Sequence, residues 1–158
     1  MNDVDFMEIA LAEARKSSEA GEIPVGAVIV QNGNVLAVGH NMTVSWCDAT
    51  AHAEIIAIKE AGRTKHDWHL NGATIYVTME PCPMCCGAIL NSHIKRVVFG
   101  CHDSEIGGVE SVFNILTHPY VNRGIEVVGG ILEDPCAQLL KDFFDKTVRK
   151  QKKVMIRF

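Results

Sequence analysis

The sequence predicts an α/β fold, a β-hairpin followed by strands that alternate with helices. Three observations predict it. Two β-branched runs, Val25-Gly-Ala-Val-Ile-Val30 and Val35-Leu-Ala-Val38, flank Gln31-Asn-Gly-Asn34, and Asn-Gly is a strong signal for a tight hairpin turn. Downstream, short apolar runs alternate with segments of helical spacing, the pattern of parallel strands joined by crossover helices. The 158 residues, 47% hydrophobic and 22% charged, suit one folded domain over 1–158 with a sizeable core.

The elements follow in order. A first helix is expected from a cap at Asn2 or Asp3 to Gly21, with Phe6, Ile9, Ala10 and Ala14 at helical spacing. After the hairpin, residues 40–50 read as a loop and 51–61 as a second helix. The third strand, Thr74–Met79, ends at Glu80-Pro81, and a third helix opens at or just after Cys82 and runs to about Asn91. Residues 96–100 read as a fourth strand, 109–116 as a fourth helix and 125–128 as a fifth strand. A last helix is expected from about Asp134, carrying Leu139, Leu140, Phe143 and Phe144.

Composition narrows the function. No apolar run approaches a membrane span. The acidic start, Met-Asn-Asp-Val-Asp-Phe, lacks the basic and apolar regions of a secretory signal. A cytoplasmic location and reduced thiols at the six cysteines are therefore expected. The net charge of −4 does not mark a general nucleic-acid binder, but the charge is unevenly spread. From about residue 146 a basic helix or tail carries Lys146, Arg149, Lys150, Lys152, Lys153 and Arg157 with no acid, which leaves the body at −10. Such a segment steers toward phosphates. Its lysines also serve to offset a helix macrodipole.

The chemistry concentrates in His52 and Glu54 of Ala-His-Ala-Glu and in Cys82 and Cys85 of Glu-Pro-Cys-Pro-Met-Cys. Cys-x-x-Cys in a reducing compartment is a metal site or a redox pair, and a redox pair has no use for His-x-Glu. Cys82 and Cys85 share a face at a helix start, where the dipole favours thiolates. His52, Cys82 and Cys85 make three zinc ligands and leave a fourth tetrahedral position open, as a catalytic site requires. Glu54 is then free to move protons between water and a substrate ring. A closed structural site needs a fourth ligand. Cys86 lies about 100° round the helix from Cys85 and reads as a small packed residue, while Cys47 stays open as a spare ligand.

The chain resembles the bacterial tRNA-specific adenosine deaminases, within the cytidine-deaminase-like superfamily, over nearly its whole length. The resembling stretches are Glu22-Ile-Pro-Val-Gly-Ala-Val28, Thr50-Ala-His-Ala-Glu54, Tyr76-Val-Thr-Met-Glu-Pro-Cys-Pro-Met-Cys-Cys-Gly-Ala88, Arg96-Val-Val-Phe-Gly100 and Asp142-Phe-Phe144. The metal motif marks only the superfamily. Gly108-Val-Glu-Ser-Val-Phe-Asn-Ile-Leu116 with His118-Pro119 is similar to a segment particular to the tRNA enzymes.

The resemblance implies a three-layer α/β/α fold with a five-stranded mixed sheet, one Zn²⁺ per subunit, and a homodimer with its substrate groove near the subunit interface. It implies hydrolytic conversion of adenosine to inosine at the wobble position of a tRNA anticodon stem-loop. By matching position, Asn41 would bind the ribose or base, although Asn41 also suits a turn. Val25, Gly26 and Ala53 would line the pocket, and His102, Asp103 and Ser104 would approach neighbouring nucleotides. Phe143, Phe144 and Arg149 would help clamp the loop, with one of the two phenylalanines buried and the other free to stack. The family pattern usually has proline where this chain has Ala49, a histidine at Asn122 within its Asn-His-Arg segment and a small residue at Cys86. Two further readings compete: a deaminase of free guanine, cytosine or a nucleoside, and a zinc-stabilised RNA-binding module without catalysis.

Overall fold

The computed structural model describes residues 1–121 and 124–156, and the side chains through Met155. Helix α1 (Asp3–Glu19) starts at the expected cap. The Asn2 side chain accepts from the Asp5 amide at 3.0 Å, and the Asp5 carboxylate accepts from the Asn2 amide at 2.8 Å. This capping box satisfies two donors that the first turn would otherwise leave unpaired. Strands β1 (Gly26–Gln31) and β2 (Asn34–His40) form the hairpin. Asn32 and Gly33, at φ 52° and 75°, supply the left-handed pair that a tight right-twisting hairpin needs.

Helix α2 (Ala53–Lys65) begins two residues later than expected. His52 is its extended N-cap, at φ −74° and ψ 154°, rather than a residue inside the helix. Strand β3 (Thr74–Met79) matches its prediction, and α3 (Pro83–Asn91) opens with Pro83 behind the extended Cys82. Proline suits that place because its missing N–H has no helical partner to lose. Strands β4 (Arg96–Cys101) and β5 (Glu126–Val128) follow, then α4 (Glu133–Ile156).

The sheet order is β2-β1-β3-β4-β5. Strand β1 is antiparallel to β2 and β3, whereas β3, β4 and β5 run parallel, so the sheet is mixed as expected. Alternate strand residues face opposite layers. Ala27, Ile29, Ile75, Val77, Val97 and Phe99 pack with Ala53, Ala57 and Ala61 of α2 and with Cys86 and Ile89 of α3. Val28, Val30, Tyr76 and Val98 pack with Phe6, Met7, Ala10 and Leu11 of α1 and Cys136 of α4. Three layers result. Arg96 ties the first turn of α1 to the sheet, donating to both Asp3 carboxylate oxygens at 2.7 and 2.8 Å, while the Tyr76 hydroxyl donates to the same group at 2.8 Å.

One expected element is missing. Residues 109–116 form turns, not a helix. The amides that would have closed its first turns reach back out of the segment, Phe113 to the Gly107 carbonyl at 2.9 Å and Ile115 to the Gly108 carbonyl at 3.0 Å, while those of Val109, Glu110 and Ser111 donate to the buried Glu80 carboxylate. By contrast, the last helix is longer than its apolar pattern indicated. It runs unbroken through the basic segment, with residues 144–155 all exposed. Asn122 and Arg157 lie outside the described residues.

Candidate active site

Residues after the C-terminal ends of β3 and β4 meet the N-termini of α2 and α3 around one cavity of about 240 Å³. Ligand sites in α/β folds collect beyond the carboxyl ends of strands. His52 and Cys82 cap α2 and α3, and Cys85 lies in the first turn of α3. The ligand atoms of His52, Cys82 and Cys85 lie within 4.8 Å of one another, and no other such metal-competent group occurs among the described residues. His52 Nδ1 lies 3.6 Å from both Cys82 Sγ and Cys85 Sγ.

That spacing is a test of fit. A tetrahedral ion with bonds of about 2.05 Å to nitrogen and about 2.3 Å to sulfur separates two ligand atoms by about 3.6 Å. The imidazole thus stands at a zinc-like separation from both thiols, and the three donors suit a zinc ion. Hydrogen bonds from Cys85 and then His52 draw the Cys82 thiol down to about 4, so a thiolate is already favoured there. Its partner Cys85, held by the hydrogen bond to Cys82, is pushed up. His52 is raised by its own hydrogen bond with Cys82. The spare cysteines are turned away. The Cys86 thiol is buried and points at the Pro81 carbonyl at 3.6 Å, and Cys47 is exposed on the loop before α2.

Glu54 sits in the first turn of α2, only 4% exposed, and lines the same cavity. Burial pushes its carboxyl above the usual carboxylate range, outweighing its own backbone amide and the neighbouring His52. A carboxyl whose hold on a proton is strengthened in this way suits a general acid–base role.

The cavity wall includes Val25, Asn41, Ala53, Asp103 and Phe144 from the expected substrate set. Asn41 is buried and also shapes the turn, since its side chain donates to the Ile23 carbonyl at 3.3 Å and accepts from the Thr43 amide at 3.4 Å. Phe143 is half-buried and Phe144 exposed, with their rings edge-on at 5.5 Å. Gly26 is not on the wall. It lies beneath α1, where a Cβ would overlap the Ala10 carbonyl, and its amide donates to Thr78 Oγ1 at 3.1 Å. His102, Ser104 and Arg149 are exposed and lie off the wall. His102 bridges Glu110 at 2.6 Å and Glu133 at 2.7 Å, and these hydrogen bonds, Glu133 first, raise it.

The family model for the cytidine and deoxycytidylate deaminase zinc-binding region matches residues 1–101. A tRNA-specific adenosine deaminase of Bacillus subtilis is 44% identical over 148 residues, covering 94% of this chain and 91% of that protein. The chain belongs to the tRNA-specific adenosine deaminase family. A solved structure from work on A-to-I editing by tRNA:A34 deaminases at the wobble position of transfer RNA superposes with a TM-score of 0.82. It is 41% identical to this family member and covers 85% of this chain and 98% of the other. A guanine deaminase from Nitrosomonas europaea superposes at a TM-score of 0.79 over 89% of this chain and 83% of its own, but at 24% identity it shares the fold alone.

Two carboxylates beside this deaminase site went unread in the sequence. Glu80 lines the cavity and is 2% exposed. Burial opposes its charge, but the amides of Glu110, Ser111 and Asp103 and the Ser111 hydroxyl pull it below the usual range. Glu22, 1% exposed, accepts from the amides of Val44 at 3.1 Å and Ser45 at 2.6 Å. Burial again opposes the charge, and those donors, led by the Ser45 amide, lower it. Both glutamates lie next to a proline-containing turn that leads into the site, the one local signal available.

Proposed function

We propose that this chain removes the amino group of an adenosine in tRNA by hydrolysis, giving inosine and ammonia, and that the target is the wobble position of an anticodon stem-loop. The observation that carries this reading is a buried Glu54 in a cavity of nucleobase size beside a three-donor set that fits zinc. When bound, zinc supplies Lewis acidity that makes water a nucleophile near neutral pH.

The residues do the rest. Glu54 accepts a proton from the attacking water and delivers it to the purine ring nitrogen, then takes the hydroxyl proton of the tetrahedral adduct and passes it to the departing amine, ending as the carboxylate it began as. Val25 and Ala53 enclose the base, and Asn41 hydrogen-bonds its ribose or edge. Phe144 offers a ring for stacking, and Asp103 meets the adjoining nucleotide. A cavity of this volume takes one extruded base rather than a stacked one, so the substrate nucleotide comes from a single-stranded loop. His102, Ser104, Phe143 and Arg149 contact flanking parts of that loop, and the basic end of α4 meets its phosphates. Gly26 acts indirectly, by letting α1 approach the strand that carries Val25.

We read the whole chain as one deaminase domain working as a cytoplasmic homodimer. Exposed Ile106, Val112 and Phe113 beside the cavity support a subunit contact there, and light scattering of the purified protein tests it. Among the described residues no helix is long and apolar enough to cross a membrane. The deciding experiment incubates purified protein with an anticodon stem-loop bearing a wobble adenosine, alongside free guanine, cytosine and adenosine. Inosine in the stem-loop alone is the expected result; ammonia released only from a free base would refute the tRNA reading.

A further inference from the structure

After β4 the chain crosses the edge of the cavity as residues 102–111, without regular structure. One buried side chain from the end of β3 sets its course. Glu80 Oε2 accepts from the amides of Val109 at 3.1 Å, Glu110 at 3.0 Å and Ser111 at 3.0 Å. Oε1 accepts from the Asp103 amide at 3.2 Å and from the Ser111 hydroxyl. The Gly108 amide donates to the Pro81 carbonyl at 2.8 Å, which ties the same loop to the turn before Cys82. Gly107 passes so close that a Cβ would overlap the Glu80 carboxylate. Thus the Gly108–Ser111 part of the tRNA-enzyme-like segment is wrapped around a single carboxylate.

The wrapping reaches the cavity through Asp103. Its carboxylate accepts from the Glu105 amide at 3.0 Å and the Ile106 amide at 3.2 Å, so Ile106 follows wherever Asp103 is held. Asp103 and Ile106 both line the cavity. Among the described residues no other side chain ties the Asp103 backbone and residues 109–111 together at once, and Glu80 does so from both of its oxygens.

We propose that Glu80 is a positioning residue for the substrate nucleotide, its carboxylate clamping the 103–111 loop so that Asp103 and Ile106 hold their places in the pocket wall. This rests on the adenosine deaminase reading above. Glu80 takes no part in proton transfer, and its contribution is made in binding.

Chemistry distinguishes the two oxygens. In Glu80→Gln the amide oxygen still accepts from Val109, Glu110 and Ser111, but the NH₂ group meets the Asp103 N–H donor to donor. The substitution therefore frees the cavity end of the loop and spares the far end. The test measures inosine formation on an anticodon stem-loop, zinc content and amide hydrogen exchange for wild type, Glu80→Gln and Ser111→Ala. Expected for Glu80→Gln is a rise in KM of roughly tenfold with kcat nearly unchanged, full zinc content, and faster exchange at Asp103 with 109–111 still protected. Ser111→Ala, which removes one bond to the same carboxylate, shifts KM in the same direction by less. Unchanged KM in both variants overturns the proposal, as does a fall in kcat and zinc content with KM intact, which would make Glu80 a support of the metal turn. If Glu80→Gln does not fold, Ser111→Ala decides by the same criterion. Wild-type protein that forms no inosine sinks the functional reading, and this proposal with it, whereas an active wild type with unmoved variants sinks this proposal alone.

Discussion

Glu54 and Glu80 face one cavity, are almost equally buried, and carry opposite chemistry. Glu54 sits at a helix start where burial dominates, and its carboxyl is raised. Glu80 is as little exposed but less deep, and backbone amides and a hydroxyl converge on it and lower it. Low exposure alone therefore does not decide whether a carboxyl moves protons. Depth and the donors aimed at the charged form decide it together. A carboxylate saturated by donors is a structural anion. One left short of donors is available for acid–base work.

The largest effect that could break this contrast is at Glu54. Glu54→Gln should lower kcat by about 10²- to 10⁴-fold with zinc retained, measured by inosine formation and metal analysis. Activity close to wild type would place the proton carrier elsewhere. Next comes Glu22, a second buried carboxylate held by several donors, from Thr43, Val44 and Ser45. Glu22→Gln should cost about 1–3 kcal/mol of stability, because the Val44 and Ser45 amides lose a charged acceptor in a buried setting. Thermal and denaturant unfolding would register it, and an unchanged midpoint would show that such clamps are dispensable.

A smaller change is expected from the basic end of α4. Ending the chain after Lys146 removes Arg149, Lys150, Lys152 and Lys153 along with Arg157. Stem-loop affinity should fall by roughly tenfold at moderate salt and its salt dependence should flatten, with no loss of zinc. Binding titrations at several salt concentrations measure both.

The smallest effect concerns the outer tether of the Glu80-clamped loop. His102 is raised by Glu133 and Glu110, so its contribution is complete below the ordinary histidine value of about 6.5 and is lost as pH rises through the higher folded value. Glu80 runs the other way. Its contribution holds above the ordinary carboxylate value of about 4.3 and is lost only as pH falls through its lower folded value. Between pH 6 and 8, His102→Gln should therefore remove a small pH dependence of stability while Glu80 keeps the loop in place. Unfolding midpoints across that range test the sign, and the opposite slope would refute the assignment.

Much of this was legible in the sequence. The hairpin and β3 were found nearly residue for residue, because β-branched runs and an Asn-Gly turn are local signals. The trio His52, Cys82 and Cys85, which the fold brings within reach of one ion, was legible from its spacing. What failed was set from far away. Residues 109–116 have helical spacing, but Glu80, about thirty positions back, pins 109–111, and the Phe113 and Ile115 amides turn back to the Gly107 and Gly108 carbonyls rather than closing a helical turn. The start of α2 was placed early because the propensity of Ala51 and His52 cannot reveal that the imidazole must face two thiols from an extended cap. Gly26 was expected on the pocket wall, and only the approach of α1 assigns it to helix packing. Glu22 and Glu80 look like ordinary surface acids until the loops that cover them are folded.

Helix α4 passes from the cavity wall at Leu140 and Phe144 to its cationic end without a break. Phe144 and Lys153 are nine residues apart along it, about 13 Å of stiff rod. The helix thus acts as a ruler: an anion gripped at the far end is kept at a set span from the ring above the cavity. Inserting residues into that rod would change which position along a bound strand is presented, without touching a single ligand or proton carrier.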